Sequence, residues 1–140
     1  MIKKEPSWKS YIVQTTTPIF TPEQCDIVSR IGRSMPPQNA QVGGENMEIN
    51  EQAQYTEYPE GGFYQWHMDL DVNMAKEPPV RKISMTLILS PENEFEGGGL
   101  EIQKPGNVIK PKQGHAVFFA SFINHRVVPV TRGVRKSLVM

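Results

Sequence analysis

His67-Met68-Asp69, answered much later in the chain by His125, brings together two imidazoles and one carboxylate. Such a set can hold a divalent metal on one face and leave the opposite face open, the arrangement of non-haem Fe(II) centres. On a strand, residues i and i+2 point to the same side. His67 and Asp69 are therefore expected to face inward together, with Met68 outward. Asp71 shares that parity and is a rival carboxylate. Asp69 is preferred because it lies closer to His67, while Asp71 runs into the Val72-Asn73 loop. The third ligand must come from a distant strand, and His115 and His125 are the only other histidines. His125 is assigned because it pairs at a useful distance with Arg135. His115, at the entry of an apolar strand, is expected to be structural.

Arg135 and Ser137 share one face of the last strand. An arginine on an inner face is costly unless it meets an anion. Its planar fork suits a carboxylate, and a neighbouring hydroxyl can add a hydrogen bond. The plain alternatives are that Arg135 faces water or pairs with a glutamate. A divalent cation, one aspartate, a bound dicarboxylate and one guanidinium sum to a near-neutral site, which a half-buried cavity tolerates. Tyr58, nine residues before His67, is a second candidate donor to that carboxylate, with sheet packing as its alternative. Tyr64 shares the parity of Trp66, opposite His67. Both are expected to pack away from the metal, Trp66 as core.

Positioning these residues requires a rolled-up sheet. Tyr11–Gln14 reads as a first strand. Thr21 as cap, Pro22 in the first turn and Gln24 at the capping-box position start a helix. Ile27, Val28 and Ile31 make its apolar stripe, and Gly32 is its expected stop. Residues 33–50 read as a polar loop. Candidate strands follow at 52–58, 63–69, 81–90, 99–103, 107–110, 115–121, 125–130 and 134–140, separated by Pro- and Gly-rich turns. Many short, regularly punctuated strands predict a sandwich or jelly roll. In 81–90 one face carries Ile83, Met85, Leu87 and Leu89. The other carries Ser84, Thr86 and Ile88, a mixture suited to a cavity wall.

Composition sets the outer bounds. A chain of 140 residues is expected to form a single domain, 1–140, with a real core. Fifteen basic and fifteen acidic residues cancel, which argues against a nucleic-acid partner. Cys25 is the only cysteine, so no intramolecular disulfide forms, and a reducing cytoplasm fits. The expectation is a cytoplasmic protein without a signal peptide, membrane span or membrane partner.

Three blocks resemble one known family. They are Tyr58-Pro59-Glu60-Gly61-Gly62-Phe63-Tyr64-Gln65-Trp66-His67-Met68-Asp69, then Phe95-Glu96-Gly97-Gly98-Gly99-Leu100-Glu101-Ile102, then Gly114–Phe119 followed by His125–Leu138. Together they resemble the prolyl 4-hydroxylase group of Fe(II)/2-oxoglutarate oxygenases, over about residues 52–140. The resemblance implies a double-stranded β-helix, a distorted jelly roll, with the N-terminal helix packed on one sheet. It implies Fe(II) held by His67, Asp69 and His125, with 2-oxoglutarate and O2 as co-substrates and ascorbate as an optional reductant. Arg135 would receive the C5 carboxylate of 2-oxoglutarate, helped by Tyr58 and Ser137. Collagen-type relatives often use lysine where this chain has Arg135, and some carry a central-strand tyrosine where this chain has Thr86 or Ile88.

By that resemblance the chain hydroxylates a C–H bond, foremost on a prolyl residue of a peptide or protein. Residues 33–50 and 70–80 flank the metal strand and are expected to meet the substrate. Several alternatives stay open at this point. One is the same oxygenase chemistry on a free amino acid or other small molecule. Another is a metal-binding jelly roll without catalysis. A Zn(II) hydrolase would need a general base and would have no use for Arg135. A nucleic-acid dealkylase is disfavoured by the balanced charge. Nothing in the sequence sets the oligomeric state.

Overall fold

The structure is a computed structural model, and it describes residues 11–36, 53–70 and 81–140. The two loops expected to meet substrate therefore fall largely outside the described residues, as does Asp71. Eleven strands and one helix follow in chain order among the described residues. They are β1 (Ile12–Gln14), α1 (Pro22–Ser34), β2 (Gln54–Tyr58), β3 (Tyr64–His67), β4 (Ile83–Ile88), β5 (Phe95–Gly97), β6 (Leu100–Ile102), β7 (Val108–Ile109), β8 (Ala116–Ala120), β9 (His125–Val127), β10 (Val130–Gly133) and β11 (Arg135–Val139).

Two antiparallel sheets carry the site. The larger runs β1-β8-β4-β11-β2, and the smaller runs β3-β9-β6-β7. The order departs from chain order in both, as the expected jelly roll requires. A two-stranded ribbon, β10 with β5, completes the strands. Helix α1 lies on the outer face of the larger sheet. Buried Cys25 there meets Leu87, Leu89 and Ala116, with Val28, Tyr55 and Met85 around them. A second core of Leu100, Ile102, Val117, Phe119 and Ile123 draws on both sheets and on the β8–β9 turn. The expected alternation of 81–90 is present. Leu87 and Leu89 pack with the helix, while Ser84, Thr86 and Ile88 are buried on the opposite face.

The helix begins as its sequence predicts. Thr21 accepts from the Gln24 backbone N–H, and the Gln24 side chain accepts from the Thr21 N–H, closing the capping box. It does not stop at Gly32, as expected, but continues to Ser34. Gly32 is there for space: a Cβ at that position would collide with the Tyr55 ring of β2. The terminator signal of glycine is indistinguishable in sequence from a close-approach glycine.

Two further expectations are corrected. The run Pro91–Gly99 was expected as turn, yet Phe95–Gly97 forms β5 against β10. Glu and Gly carry little strand propensity, so only the partner strand makes β5 visible. The expected 125–130 strand also breaks at Val128-Pro129, and its continuation pairs with β5 instead of β6. Proline has no N–H to give a ladder, so the chain changes sheets there.

Gly133 joins β10 to β11 with φ at +74°, and a Cβ there would overlap the Glu94 carbonyl oxygen. Left-handed backbone costs a non-glycine residue about 1–3 kcal/mol before any collision is counted. Gly133→Ala is therefore expected to destabilise the protein by about 3 kcal/mol or more, read as a lower midpoint in urea.

Candidate metal centre and anion pocket

β3 and β9 pair antiparallel with His67 directly opposite His125. Their ring centroids lie 4.2 Å apart. His67 Nδ1 donates to the Gln65 carbonyl oxygen at 2.7 Å, and His125 Nδ1 donates to the Ile123 carbonyl oxygen at 2.9 Å. These bonds occupy the Nδ1 protons of the neutral rings and turn the Nε2 lone pairs inward. Asp69 Oδ1 completes the group, 3.3 Å from His67 Nε2 and 3.6 Å from His125 Nε2. The three donor atoms lie within 4.8 Å of one another. His125 is buried, at 5% exposure, and its ring meets Phe119 edge-on at 4.6 Å.

Three acceptors thus converge with no donor of their own between them. Such a cluster needs a proton or a cation. Its two nitrogens and one carboxylate suit Fe(II) by donor type, so the residues fit a divalent metal. Burial raises the Asp69 carboxyl, but the pull of the two imidazoles in their protonated state, with Ser84 adding to it, outweighs that and holds the group at about 2. Burial pushes His125 below its usual range, only partly offset by Asp69. Both shifts favour the metal-ready forms, carboxylate and neutral imidazole, at neutral pH.

The larger sheet supplies the basic group. Arg135 on β11 is 1% exposed. Its Nη1 donates to Ser137 Oγ at 2.8 Å, while Nε is buried without a hydrogen-bond partner. Ser137 Oγ is also 2.7 Å from Thr56 Oγ1. Tyr58 lies opposite Arg135 in the β2–β11 ladder, its ring centroid 5.3 Å from the guanidinium carbon. Among the described residues, no carboxylate comes within ion-pair distance of Arg135. Burial pulls its guanidinium down to about 10, so it still carries its charge at neutral pH. Burial raises the Tyr58 phenol, against the pull of Arg135, so the hydroxyl keeps its proton as a donor. Buried Glu101 shows the contrasting case: it is paired with Arg126 and accepts the Gly106 N–H at 2.6 Å. Arg135 has no such answer. A buried cation with a free N–H and a phenol beside it forms a receptor for an anion.

Gly98 makes room for that side chain. It has φ at +62°, and a Cβ there would stand 2.8 Å from Arg135 Cδ. The glycine run of β5–β6 thus shapes the anion pocket. Gly98→Ala is expected to shift the guanidinium and weaken binding of a dicarboxylate at this pocket about tenfold, the equivalent of roughly 1.4 kcal/mol. Metal affinity should hold, and calorimetric titration of each ligand reads both.

Some sequence expectations are changed by the fold. Asp69 lies beyond β3, not on it, because the ladder ends at His67. Met68 is exposed, as expected. Tyr64 does not pack away from the metal side: its ring lies 4.2 Å from that of His67. The β3–β9 register shifts between Tyr64 and His67, so simple alternation fails across that step. Trp66 is half-buried instead of core. Its ring lies under the Arg126 guanidinium at 5.2 Å, in a surface groove shared with Phe63 and Pro129. His115 stands apart from the cluster, donating from Nδ1 to the Thr15 carbonyl oxygen at 3.1 Å. Arg81, absent from the sequence reading, has Nη1 3.8 Å from Asp69 Oδ2. Its only sequence signal is a basic residue entering the strand after the metal loop.

Residues 53–140 match the sequence pattern of the 2OG-Fe(II) oxygenase superfamily. The chain belongs to that superfamily. A PKHD-type hydroxylase of Parvibaculum lavamentivorans is 37% identical over 86 residues, 58% of this chain and 38% of the relative. Another PKHD-type hydroxylase, of Colwellia psychrerythraea, is 42% identical over 79 residues, 54% and 35% of the two chains. This 2OG-Fe(II) oxygenase therefore spans well under half the length of those relatives. A crystal structure of a Pseudomonas putida prolyl-4-hydroxylase aligns with a TM-score of 0.50 at 28% identity, covering 62% of this chain and 49% of that one. The viral collagen prolyl hydroxylase of Paramecium Bursaria Chlorella virus-1 aligns over 96% of both chains with a TM-score of 0.65. At 18% identity that likeness shows the fold alone, a 2OG oxygenase jelly roll. Among the described residues, no helix is long and apolar enough to cross a membrane.

Proposed function

We propose that this chain is an Fe(II)- and 2-oxoglutarate-dependent dioxygenase that hydroxylates a prolyl residue of a peptide or protein. The observation that carries the reading is the pairing of two unmet demands on facing sheets. The acceptors of His67, Asp69 and His125 call for a cation, and the buried Arg135 calls for an anion. Family membership and the Pseudomonas putida prolyl-4-hydroxylase likeness support the reaction class and the prolyl substrate.

His67 Nε2, Asp69 Oδ1 and His125 Nε2 would hold the ferrous ion and leave its other side free for 2-oxoglutarate and O2. When bound, the ion supplies the coupling of 2-oxoglutarate decarboxylation, to succinate and CO2, to oxygen insertion into a C–H bond. The chain's residues bind and orient. Backbone carbonyls of Gln65 and Ile123 fix the imidazole faces. Arg135 grips the far carboxylate of 2-oxoglutarate, with Tyr58 as a further donor and Ser137 steadying the guanidinium. Phe119 walls the metal side and keeps water from the buried face of His125. No acid or base is required on the substrate, and none is assigned.

Anaerobic addition of Fe(II) and 2-oxoglutarate tests the reading. It should produce the weak visible charge-transfer band of the chelated co-substrate, absent in His67→Ala and Arg135→Ala. Succinate release should then rise on adding a proline-rich peptide. A wild-type protein that gives no band and retains Zn(II) with peptidase activity would sink the proposal.

A further inference from the structure

Among the described residues, the Arg135 guanidinium makes one hydrogen bond, from Nη1 to Ser137 Oγ at 2.8 Å. Whatever fixes the Ser137 hydroxyl therefore fixes the guanidinium. Thr56 of β2 stands directly opposite Ser137 in the β2–β11 ladder, two residues along from the Tyr58–Arg135 pair. The neighbours of Thr56 turn the other way. Tyr55 packs toward the helix, and Glu57 pairs with Arg33 of α1. Alternation leaves Thr56 and Tyr58 on the inner face, with Arg135 and Ser137.

Counting protons gives the contact a direction. Ser137 is fully buried, and its Oγ has two partners among the described residues, Arg135 and Thr56. Arginine offers no acceptor, so the Ser137 proton goes to Thr56 Oγ1, 2.7 Å away. Thr56 then donates its own proton to the Ser137 carbonyl oxygen at 3.3 Å. The run from Arg135 through Ser137 and Thr56 to that carbonyl satisfies both hydroxyls, and a buried hydroxyl left unpaired is costly. Threonine suits the end of the run, because its branched Cβ allows few rotamers and so gives a fixed acceptor.

The guanidinium is a flat fork. With Nη1 tied to Ser137, the N–H of Nε and one N–H of Nη2 run parallel along the opposite edge. That edge matches the two oxygens of a carboxylate, and its Nε is buried without a partner. We infer that Thr56 is a positioning residue that acts through Ser137 to set the plane of the Arg135 guanidinium, so that its free edge meets the far carboxylate of a keto-diacid. The inference rests on the anion-pocket reading above. Thr56 itself touches neither co-substrate nor metal. A guanidinium released to turn still attracts an anion but loses the two-point grip.

The test is calorimetric titration of the Mn(II)-loaded, full-length protein without O2. The two titrants are 2-oxoglutarate and 2-oxobutyrate, a keto acid that lacks the far carboxylate. Thr56→Val keeps the side-chain shape and removes the hydroxyl. It should weaken 2-oxoglutarate binding about tenfold, in line with one hydrogen bond held at a buried charge, and leave 2-oxobutyrate binding unchanged. Thr56→Ser, which keeps the hydroxyl, should recover most of the loss. Thr56→Ala decides the matter if the valine variant folds poorly. A merely structural threonine would lower the urea midpoint and weaken both keto acids alike, or neither. Wild-type preference for 2-oxoglutarate in the valine and alanine variants would overturn the inference, as would an equal loss in Thr56→Ser. A wild-type protein that binds neither keto acid, or both equally, would overturn the reading of the pocket itself, a result distinguishable from the first.

Discussion

Arg135→Met is expected to abolish 2-oxoglutarate binding and to raise the stability of the ligand-free protein at the same time. The two effects share one cause. Arg135 is buried, one of its nitrogens has no partner, and no described carboxylate neutralises it. Without ligand, that charge is a burden on the fold. Replacing a buried charge by an apolar side chain of similar volume is commonly neutral or stabilising, by about 1–4 kcal/mol. With ligand the sign reverses, because the keto-diacid would bury its far carboxylate against methionine. Truncating one side of a buried charge pair costs about 2–5 kcal/mol, and 4 kcal/mol is close to a 10³-fold loss of affinity. Urea unfolding with and without co-substrate reads both effects. Wild type should gain about 2.7 kcal/mol at a hundred times its Kd, and the variant nothing. A variant that still gains stability from 2-oxoglutarate would remove Arg135 from the pocket.

The second large effect separates the two histidines. His125→Ala and His67→Ala should both fail to retain Fe(II), since each removes one of three ligands. Their structural effects should differ. His125 is buried against Phe119 and bonded to the Ile123 carbonyl, so its loss opens a cavity and strands an acceptor. About 2–3 kcal/mol of metal-free stability should go with it. His67 is a quarter exposed, so water can fill the space it leaves. His67→Ala should stay within about 1 kcal/mol of wild type. Iron content by elemental analysis and urea midpoints of the metal-free proteins check the pair. Equal destabilisation by both would contradict the burial difference, and iron retained in either variant would remove that residue from the ligand set.

The chemistry-bearing residues were legible because each carries its signal locally. His67 and Asp69 stand two apart, and Arg135 and Ser137 share strand parity; alternation holds for the second pair, while Asp69 reaches the His67 side from just beyond the end of β3. The capping box at Thr21 and Gln24 is equally local. What the sequence hid depends on partners. Tyr64 crosses to the His67 side through a register shift that only the β9 pairing creates. Phe95–Gly97 becomes a strand because β10 lies beside it. Gly32 reads as a helix stop and proves to be a seat for the Tyr55 ring. Arg81 carries no motif at all. Its relation to Asp69 exists only after the entry of β4 and the end of β3 have been brought together.

The metal-side residues come from the smaller sheet and the basic anchor from the larger. Nothing covalent sets the gap between them except the stacking of one sheet on the other, about 10 Å in sandwiches of this kind. On the proposed reading, that spacing is a gauge for the length of the co-substrate. A keto-diacid one carbon too short must release its grip at one end, and one too long must buckle. That gauge is set by Leu100, Ile102, Val117, Phe119 and Ile123, whose bulk fills the space between the layers. On the proposed reading, changes of volume at Leu100 or Val117 would retune which diacid fits while leaving every proposed binding side chain in place.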